Sequence, residues 1–234
     1  MDIHKPKAAH NWREFAVEIG TIICGILIAL GLEQAVDASR THHEVTETRE
    51  ALKQEVASNA ARDLASAAEA RCELFGLDRY IEWAKGGVRP PVRPPFSPVV
   101  SAAVWEASRS SAVLHMPVKE RLQFARYYDL VEVRRENVRM VANLALDRER
   151  LSRLHRLDAE QSKRLQEYAS AARDRLPNLI LVDLRGVEGA IALGVKPTKV
   201  PEDWRRTVEA TCAAFGAPPP SFDVASGDFP SVGQ

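Results

Sequence analysis

The run from Phe15 to Leu32, FAVEIGTIICGILIALGL, constrains the fold of this chain more than any other segment. It holds eighteen residues, and its only charged side chain is Glu18. An α-helix of that length rises about 27 Å, close to the hydrocarbon thickness of a bilayer, which is about 30 Å. The run therefore predicts a transmembrane anchor, over residues 15–36.

Two other interpretations of the run stay open. A cleavable signal peptide begins with basic residues, supplied here by Lys5, Lys7 and Arg13, and ends with small residues, loosely matched by Val36-Asp37-Ala38. Its apolar segment is usually shorter, about 7 to 15 residues. A buried helix of a soluble protein is the second alternative, but such a helix rarely lacks a polar stripe for so long.

The charges around the run indicate its orientation. Lys5, Lys7 and Arg13 crowd the short N-terminal flank, and a short basic flank normally stays in the cytoplasm. The bulk of the chain is then extracytoplasmic. The predicted organisation is a short cytoplasmic segment (residues 1–14), the anchor (15–36), an extracytoplasmic helical domain (37–216) and a flexible tail (217–234).

The anchor helix is expected to continue far beyond the run. Asn11 and Glu14 have the spacing of a capping box, so we expect the helix to begin at Trp12. Good helix formers follow without a proline, which predicts one helix that ends near Ala84, before Gly86-Gly87. Apolar residues after the anchor predict one buried stripe; they are Leu52, Val56, Ala60, Leu64, Ala68, Cys72 and Phe75.

The remainder predicts an all-α fold, an antiparallel helical bundle. Five prolines in residues 86–98 exclude a helix there and favour a connection over a proline-rich ligand. A short helix with Trp105 in the core follows. The next helix, after Pro117, carries a bundle or coiled-coil seam: Phe124, Tyr128, Val131, Arg135, Val138, Ala142 and Ala145.

Two more helical regions complete the prediction. Asp158 and Gln161 form a capping-box signal, and the helix they begin turns Leu165, Tyr168, Ala172 and Leu176 inward. We expect Pro177 to end or kink this helix and a short helix to follow up to Gly194. A last helix opens at Pro201 and is stopped by Gly216.

The charge balance argues against nucleic-acid binding. The chain has 32 basic and 32 acidic residues, and the two signs interleave along the helices. The arginine-rich stretch from Arg134 to Arg156 also contains acidic residues, and we interpret it as a solvated helix face.

The cysteines offer one candidate disulfide. Cys24 lies in the apolar run, whereas Cys72 and Cys212 lie outside it as a pair. An extracytoplasmic location would allow them to form a bridge that clamps the last helix onto the long one, and two buried free thiols are the alternative.

The anchor itself carries two features of interest. Glu18 is a candidate functional carboxylate, because ionisable groups in membrane helices are often functional, although its position near the end of the run also lets it reach the interface. Gly25 and Ala29 are small residues four positions apart, which allows close packing of membrane helices and supports self-association.

Motifs for chemistry are missing from the sequence. His42, His43, Glu44 and Glu47 resemble metal ligands but lack further partners, so a polar collar beside the anchor is the preferred interpretation. The sequence contains no GxSxG, CxxC or HExxH motif and no glycine-rich phosphate loop. We therefore expect no catalytic residues, cofactor or metal.

The chain resembles a group of bacterial proteins of unknown activity that have a single anchor. The resemblance rests on Trp12-Arg13-Glu14-Phe15, Glu18, residues 25–31, Arg49, Ala51, Leu52, Glu55, Asn59, Cys72, Trp105-Glu106 and Tyr127-Tyr128. It implies a bacterial inner-membrane protein and brings no active site.

The leading hypothesis is a non-enzymatic, membrane-anchored module for assembly or partner binding. Its partners would be the lipid bilayer and a second copy or another membrane protein. The alternatives are an extracytoplasmic sensor domain, or a subunit of an ion-coupled membrane complex that uses Glu18.

Overall fold

A computed structural model of the chain describes residues 12–91 and 98–222. The helices in these ranges are α1 (Trp12–Ala84), α2 (Ala103–Ser108), α3 (Val118–Ser152), α4 (Ala159–Ala192) and α5 (Glu202–Phe215), with a 3-10 turn at Ala112–His115. All regular secondary structure of the described residues is thus helical, and the predicted fold class is confirmed. The chain divides into two compact units, residues 1–47 and residues 48–234.

The long helix α1 is described from Trp12 onwards and ends at Ala84, the predicted end. Gly86 follows with a left-handed φ of 94°, which glycine adopts at little cost and which stops the helix. Asn11, the predicted N-terminal cap, lies outside the described residues.

In the first unit, the described residues 12–47 are all helical. The apolar run is long and apolar enough to cross a membrane, and no part of its most apolar window is buried. Ile22 is 58% exposed and Leu27 is 62% exposed. Such exposure is typical of a helix that meets lipid or another helix, and it speaks against a core helix of a soluble protein.

In the second unit α1 is the central helix. Between Leu52 and Glu73 only Gln54 is exposed. Helix α3 runs parallel to α1, because Glu120, near the start of α3, pairs with Arg49, and Arg148, near the end of α3, pairs with Glu73 farther along α1. The segment between α1 and α3 therefore returns along the domain, and we call residues 98–102, which precede α2, the crossover segment. Residues 92–97 of the predicted proline-rich connection lie outside the described residues. Helix α4 runs antiparallel to α3, on which it packs.

The predicted apolar stripe of α1 is buried except at its last member. Phe75 is 57% exposed, so its assignment to the stripe was wrong. Gly76 faces α5 instead, and the ring of Phe215 lies directly against it. Successive residues are about 100° apart around a helix. Because Gly76 faces α5, the preceding residue Phe75 is rotated away from α5 and towards solvent.

The seam of α3 is confirmed at its ends and looser in the middle. Phe124, Tyr128, Val131 and Ala145 are buried, whereas Arg135, Val138 and Ala142 are partly exposed. Trp105, expected in the core, is only partly buried. It stacks on Tyr128 with ring centroids 5.0 Å apart.

Helix α4 confirms its predicted start and corrects its predicted end. Asp158 and Gln161 form the capping box, with hydrogen bonds of 2.8 and 3.0 Å. The helix continues through Pro177 to Ala192, so a helix end at Pro177 was wrong. Leu176, Leu179 and Ile180 are buried on both sides of the proline, and this packing offsets the lost backbone hydrogen bond.

The predicted stops after α4 and α5 are confirmed. Gly194 and Gly216 have left-handed φ values of 71° and 68°. Residues 217–222, predicted as the start of the tail, are described, and Ala217 and Phe222 pack against the domain beside Cys72 and Cys212. Residues 223–234 lie outside the described part.

Candidate functional site

One face of α1 is polar although it is buried inside the second unit. Its side chains, which we call the buried polar face, are at most 9% exposed: Glu55, Asn59, Asp63, Ser66, Glu69 and Glu73. Steps of three or four residues place them on one side of the helix. Arg134 and Arg148 of α3 and Asp183 of α4 are buried against this face. The interpretation of Arg134 to Arg156 as a solvated face was therefore wrong for these two arginines.

Glu55 anchors the crossover segment. Its carboxylate accepts hydrogen bonds from the Ser101 hydroxyl and the Tyr128 hydroxyl, both at 2.6 Å, and from the Val104 backbone N–H at 3.2 Å. Asn59 exchanges two hydrogen bonds with the backbone of Ser101, at 2.7 and 2.9 Å. The start of α2 is thus held by side chains of α1 rather than by its own capping residue.

These contacts favour the ionised form of Glu55. Burial acts to raise its pKa, but the hydrogen bonds from Ser101, Tyr128 and the backbone outweigh burial and leave the pKa below its ordinary value. The stability that this carboxylate contributes is fully present at a pH above the pKa that Glu55 has in the unfolded chain. It is lost as the pH falls through the lower pKa that Glu55 has in the folded chain.

The central cluster joins the three long helices. Arg134 of α3 places its Nε 2.6 Å from Oδ1 of Asp63 on α1 and 2.6 Å from Oδ1 of Asp183 on α4. Its Nη1 donates to the Pro98 carbonyl oxygen at 3.1 Å. Asp183 is 0% exposed and Asp63 is 3% exposed, so the cluster lies out of contact with solvent.

Burial raises the pKa of both aspartates. For Asp63 it outweighs the attraction of Arg134, and the negative charge of Asp183 raises the pKa further. Burial raises the pKa of Asp183 to about 6, against the opposing effects of Arg134 and Ser66. Two carboxylates beside one guanidinium cannot both ionise without an uncompensated buried charge.

Gly186 makes the close approach of α4 to α1 possible. A Cβ atom at this position would collide with Oδ2 of Asp63. The requirement for glycine at this position is therefore steric. It does not come from the backbone conformation, because the φ of Gly186 is not in the left-handed region.

A third cluster lies farther along α1. Arg148 Nη1 is 2.8 Å from Oε1 of Glu73, and the same oxygen accepts a hydrogen bond from the Tyr168 hydroxyl. The guanidinium also lies 5.9 Å from the ring centroid of Tyr80. Burial and the adjacent Glu73 raise the pKa of Tyr168 well above its ordinary value, so Tyr168 keeps its proton and donates a hydrogen bond to this carboxylate.

The space around these clusters limits their chemistry. A cavity of about 40 Å³ lies beside Ser66, Glu69 and Glu73, and one of about 10 Å³ lies beside Asp63 and Arg134. One water molecule needs about 10 to 15 Å³. These volumes admit water and exclude an organic substrate, and an acid or base must reach its substrate within hydrogen-bond distance. The buried acids can therefore hold protons and bind water.

The predicted residues of the first unit make few contacts. Glu18 and Ala29 are exposed, and a Cβ atom on Gly25 would meet nothing within 4 Å. His43 and Glu47 form a pair at 3.2 Å. Across the described ranges, no group of three or more histidine, cysteine or acidic side chains is arranged to hold a metal ion.

The two cysteines of the second unit are brought together. Cys72 on α1 and Cys212 on α5 are bonded, with Cα atoms 4.7 Å apart, and both are at most 3% exposed. Val208 and Ala68 pack beside them. The bond fixes α5 along the side of α1 that the other long helices leave open.

Comparison with known proteins gives no relative. No protein-family model, curated protein or solved structure matches the chain. The site therefore has to be interpreted from its own geometry.

Sequence reasoning missed the buried clusters because their residues have an ordinary surface pattern. Glu55, Asn59 and Asp63 recur every fourth residue, as on a solvated helix face, and Arg134 lies among other arginines. One sequence signal could have revealed them. The same turns of α1 also carry an apolar stripe and many alanines, which leaves too few large polar side chains to form a solvent-exposed face. A helix buried all round has to bury its polar face as well.

We predict that the bond between Cys72 and Cys212 forms in the cell. Peptide mapping of the full chain without reduction should link their two peptides. In the chain-entropy model a bridge across 140 residues stabilises the domain by up to about 5 kcal/mol, so reduction should lower the unfolding temperature clearly.

The control is Cys24→Ser, which should leave both the linked peptide and the unfolding temperature unchanged. Alkylation of Cys72 and Cys212 without prior reduction would show that they are free thiols.

Proposed function

We propose that the chain is a single-pass bacterial inner-membrane protein whose periplasmic helical domain mediates assembly or partner binding without catalysis. The observation that carries this proposal is the contrast between the two units. The first presents an apolar helix with exposed side chains, and the second holds its buried charges in closed clusters without room for a substrate. The resemblance to bacterial single-anchor proteins is consistent with it.

The proposed orientation has two supports. The basic residues lie on the short N-terminal flank, which normally stays cytoplasmic. A bond between Cys72 and Cys212 persists in an oxidising compartment and is rare in the cytoplasm. Both support a periplasmic location for the second unit.

Topology is tested by fusing a reporter that is active only outside the cytoplasm after Gln234. We expect activity from this fusion and none from the same reporter fused before Met1. Mass spectrometry of the mature protein should recover peptides from residues 1–38. Loss of these residues would establish a cleaved signal peptide, and an inactive C-terminal fusion would reverse the orientation.

Self-association through the anchor is the second test. With little hydrophobic drive between helices in lipid, contact depends on close packing, which Gly25→Leu blocks sterically. We expect crosslinking in native membranes to give a dimer or small oligomer in the wild type. If the variant loses about 1.4 kcal/mol of association free energy, its association constant falls about tenfold.

Gly31→Leu is the matched control, because Gly31 lies about 240° around the helix from Gly25 and the same change there should leave the oligomer intact. A monomeric wild type, or equal effects of both changes, would exclude this face. Recovery of a stoichiometric membrane partner from detergent would favour the ion-coupled subunit that uses Glu18.

A further inference from the structure

The two aspartates of the central cluster share one N–H group. Oδ1 of Asp63 and Oδ1 of Asp183 both lie 2.6 Å from Nε of Arg134, and Nε carries a single hydrogen. The hydrogen bond goes to Asp183. Asp63 Oδ1 therefore lies beside the guanidinium without receiving a hydrogen bond, although it is fully buried.

The formal charges of the cluster do not balance when both acids are ionised. Two carboxylates and one guanidinium then sum to minus one, in a site without bulk water to screen the charge. An uncompensated buried charge costs several kcal/mol, whereas one retained proton restores neutrality.

Arg62 of α1 is a second cation that acts on Asp63 and lowers its pKa, but its Nη1 donates to Asn59 at 3.1 Å. The ion pairs within hydrogen-bond distance of the two aspartates are those of Arg134. The groups that face the two aspartates are Arg62 and Ser66 from α1, Arg134 and Tyr127 from α3, and the Pro98 carbonyl from the crossover segment.

We propose that Asp63 and Asp183 form a buried proton-binding site, in which Asp63 carries one proton and Asp183 pairs with Arg134 as the ionised partner. When the proton leaves for water, the cluster changes from neutral to minus one, and α4 is held less firmly against α1 and α3. The ligand of this site is a proton, and the second unit becomes sensitive to pH. The inference is independent of the proposed membrane topology and assembly role, because it concerns the second unit alone.

A path for the proton begins in the cavity of about 10 Å³ beside the cluster. Asp63, Tyr127, Arg134 and Gly186 line it, and it is about the size of one water molecule. Gly186 keeps this space open, because its missing Cβ leaves room for the Asp63 carboxylate. A water molecule here can accept the proton and pass it on during small openings of α4.

The sign of the pH effect follows from the raised pKa values. A group whose pKa is higher in the folded chain contributes stability that is fully present below its unfolded pKa and is lost as the pH rises through the folded value. For Asp63, the protonated partner, burial and the charge of Asp183 hold the folded pKa well above the ordinary value, so its stability is present in acid and is lost as the pH rises through that raised pKa. Glu55 acts with the opposite sign, because its pKa is lowered by the hydrogen bonds to its carboxylate, so it stays ionised in a comparison between pH 5 and pH 8.

The test measures the unfolding temperature of the full chain in detergent at pH 5 and pH 8. Asp63→Asn keeps the shape of the side chain and fixes its neutral form. We expect the wild type to lose stability from pH 5 to pH 8, and Asp63→Asn to lose much less and to be the more stable protein at pH 8. Asp174→Asn, on the exposed face of α4, is the matched control and should follow the wild type.

A second readout does not depend on thermal unfolding. The infrared band of a protonated carboxylic acid should be present in the wild type at pH 7 and should disappear as the pH is raised further. In Asp63→Asn this band should be missing at pH 7. A wild type without the band, or Asp63→Asn with the pH profile of the wild type, would overturn the proposal.

Discussion

The contact of Arg134 with Asp63 and Asp183 is the constraint on which the second unit depends. It is the point where α1, α3 and α4 meet through charged atoms rather than through apolar side chains. Each buried ion loses its hydration there, at an effective cost of several kcal/mol, so removal of Arg134 would leave the Asp183 carboxylate buried without its cation. Together with the cluster at Glu73, this contact defines the helix directions: α3 meets α1 first at Arg134 and then at Arg148, whereas α4 meets the same two positions in the reverse order, at Tyr168 and then at Asp183.

The other two clusters extend this arrangement along α1. Glu55 holds the crossover segment near one end of the buried polar face, and Glu73 holds Arg148 and Tyr168 near the other. A helix that buries both its apolar stripe and its polar face has no free side in this unit. The domain is therefore closed to organic substrates at its centre, and its contacts with other molecules have to be made at the outer surface or through the apolar helix of the first unit.

The sequence predicted the helices better than their faces. The capping box at Asp158 and the stops at Gly194 and Gly216 depend on local chemistry and could be placed correctly. The predictions for Phe75 and Pro177 were wrong because tertiary packing decided both. The ring of Phe215 packs against Gly76 and leaves Phe75 exposed, and the burial of Leu176 and Leu179 stabilises α4 across Pro177. The local sequence pattern does not indicate which charged helix face is buried. The burial of Arg134, in contrast to its more exposed neighbours, could therefore be recognised only once the positions of α1 and α4 were known.

The most direct measurement compares two adjacent arginines. Arg134 is 2% exposed in the central cluster, whereas Arg135 pairs with Glu106 and Glu132 at the surface. Denaturant unfolding of the full chain should give a loss of about 3 to 5 kcal/mol for Arg134→Met, because the buried Asp183 carboxylate loses its cation, and at most about 1 kcal/mol for Arg135→Met. Similar losses for the two variants, or a smaller loss for Arg134→Met, would contradict the central role of this cluster.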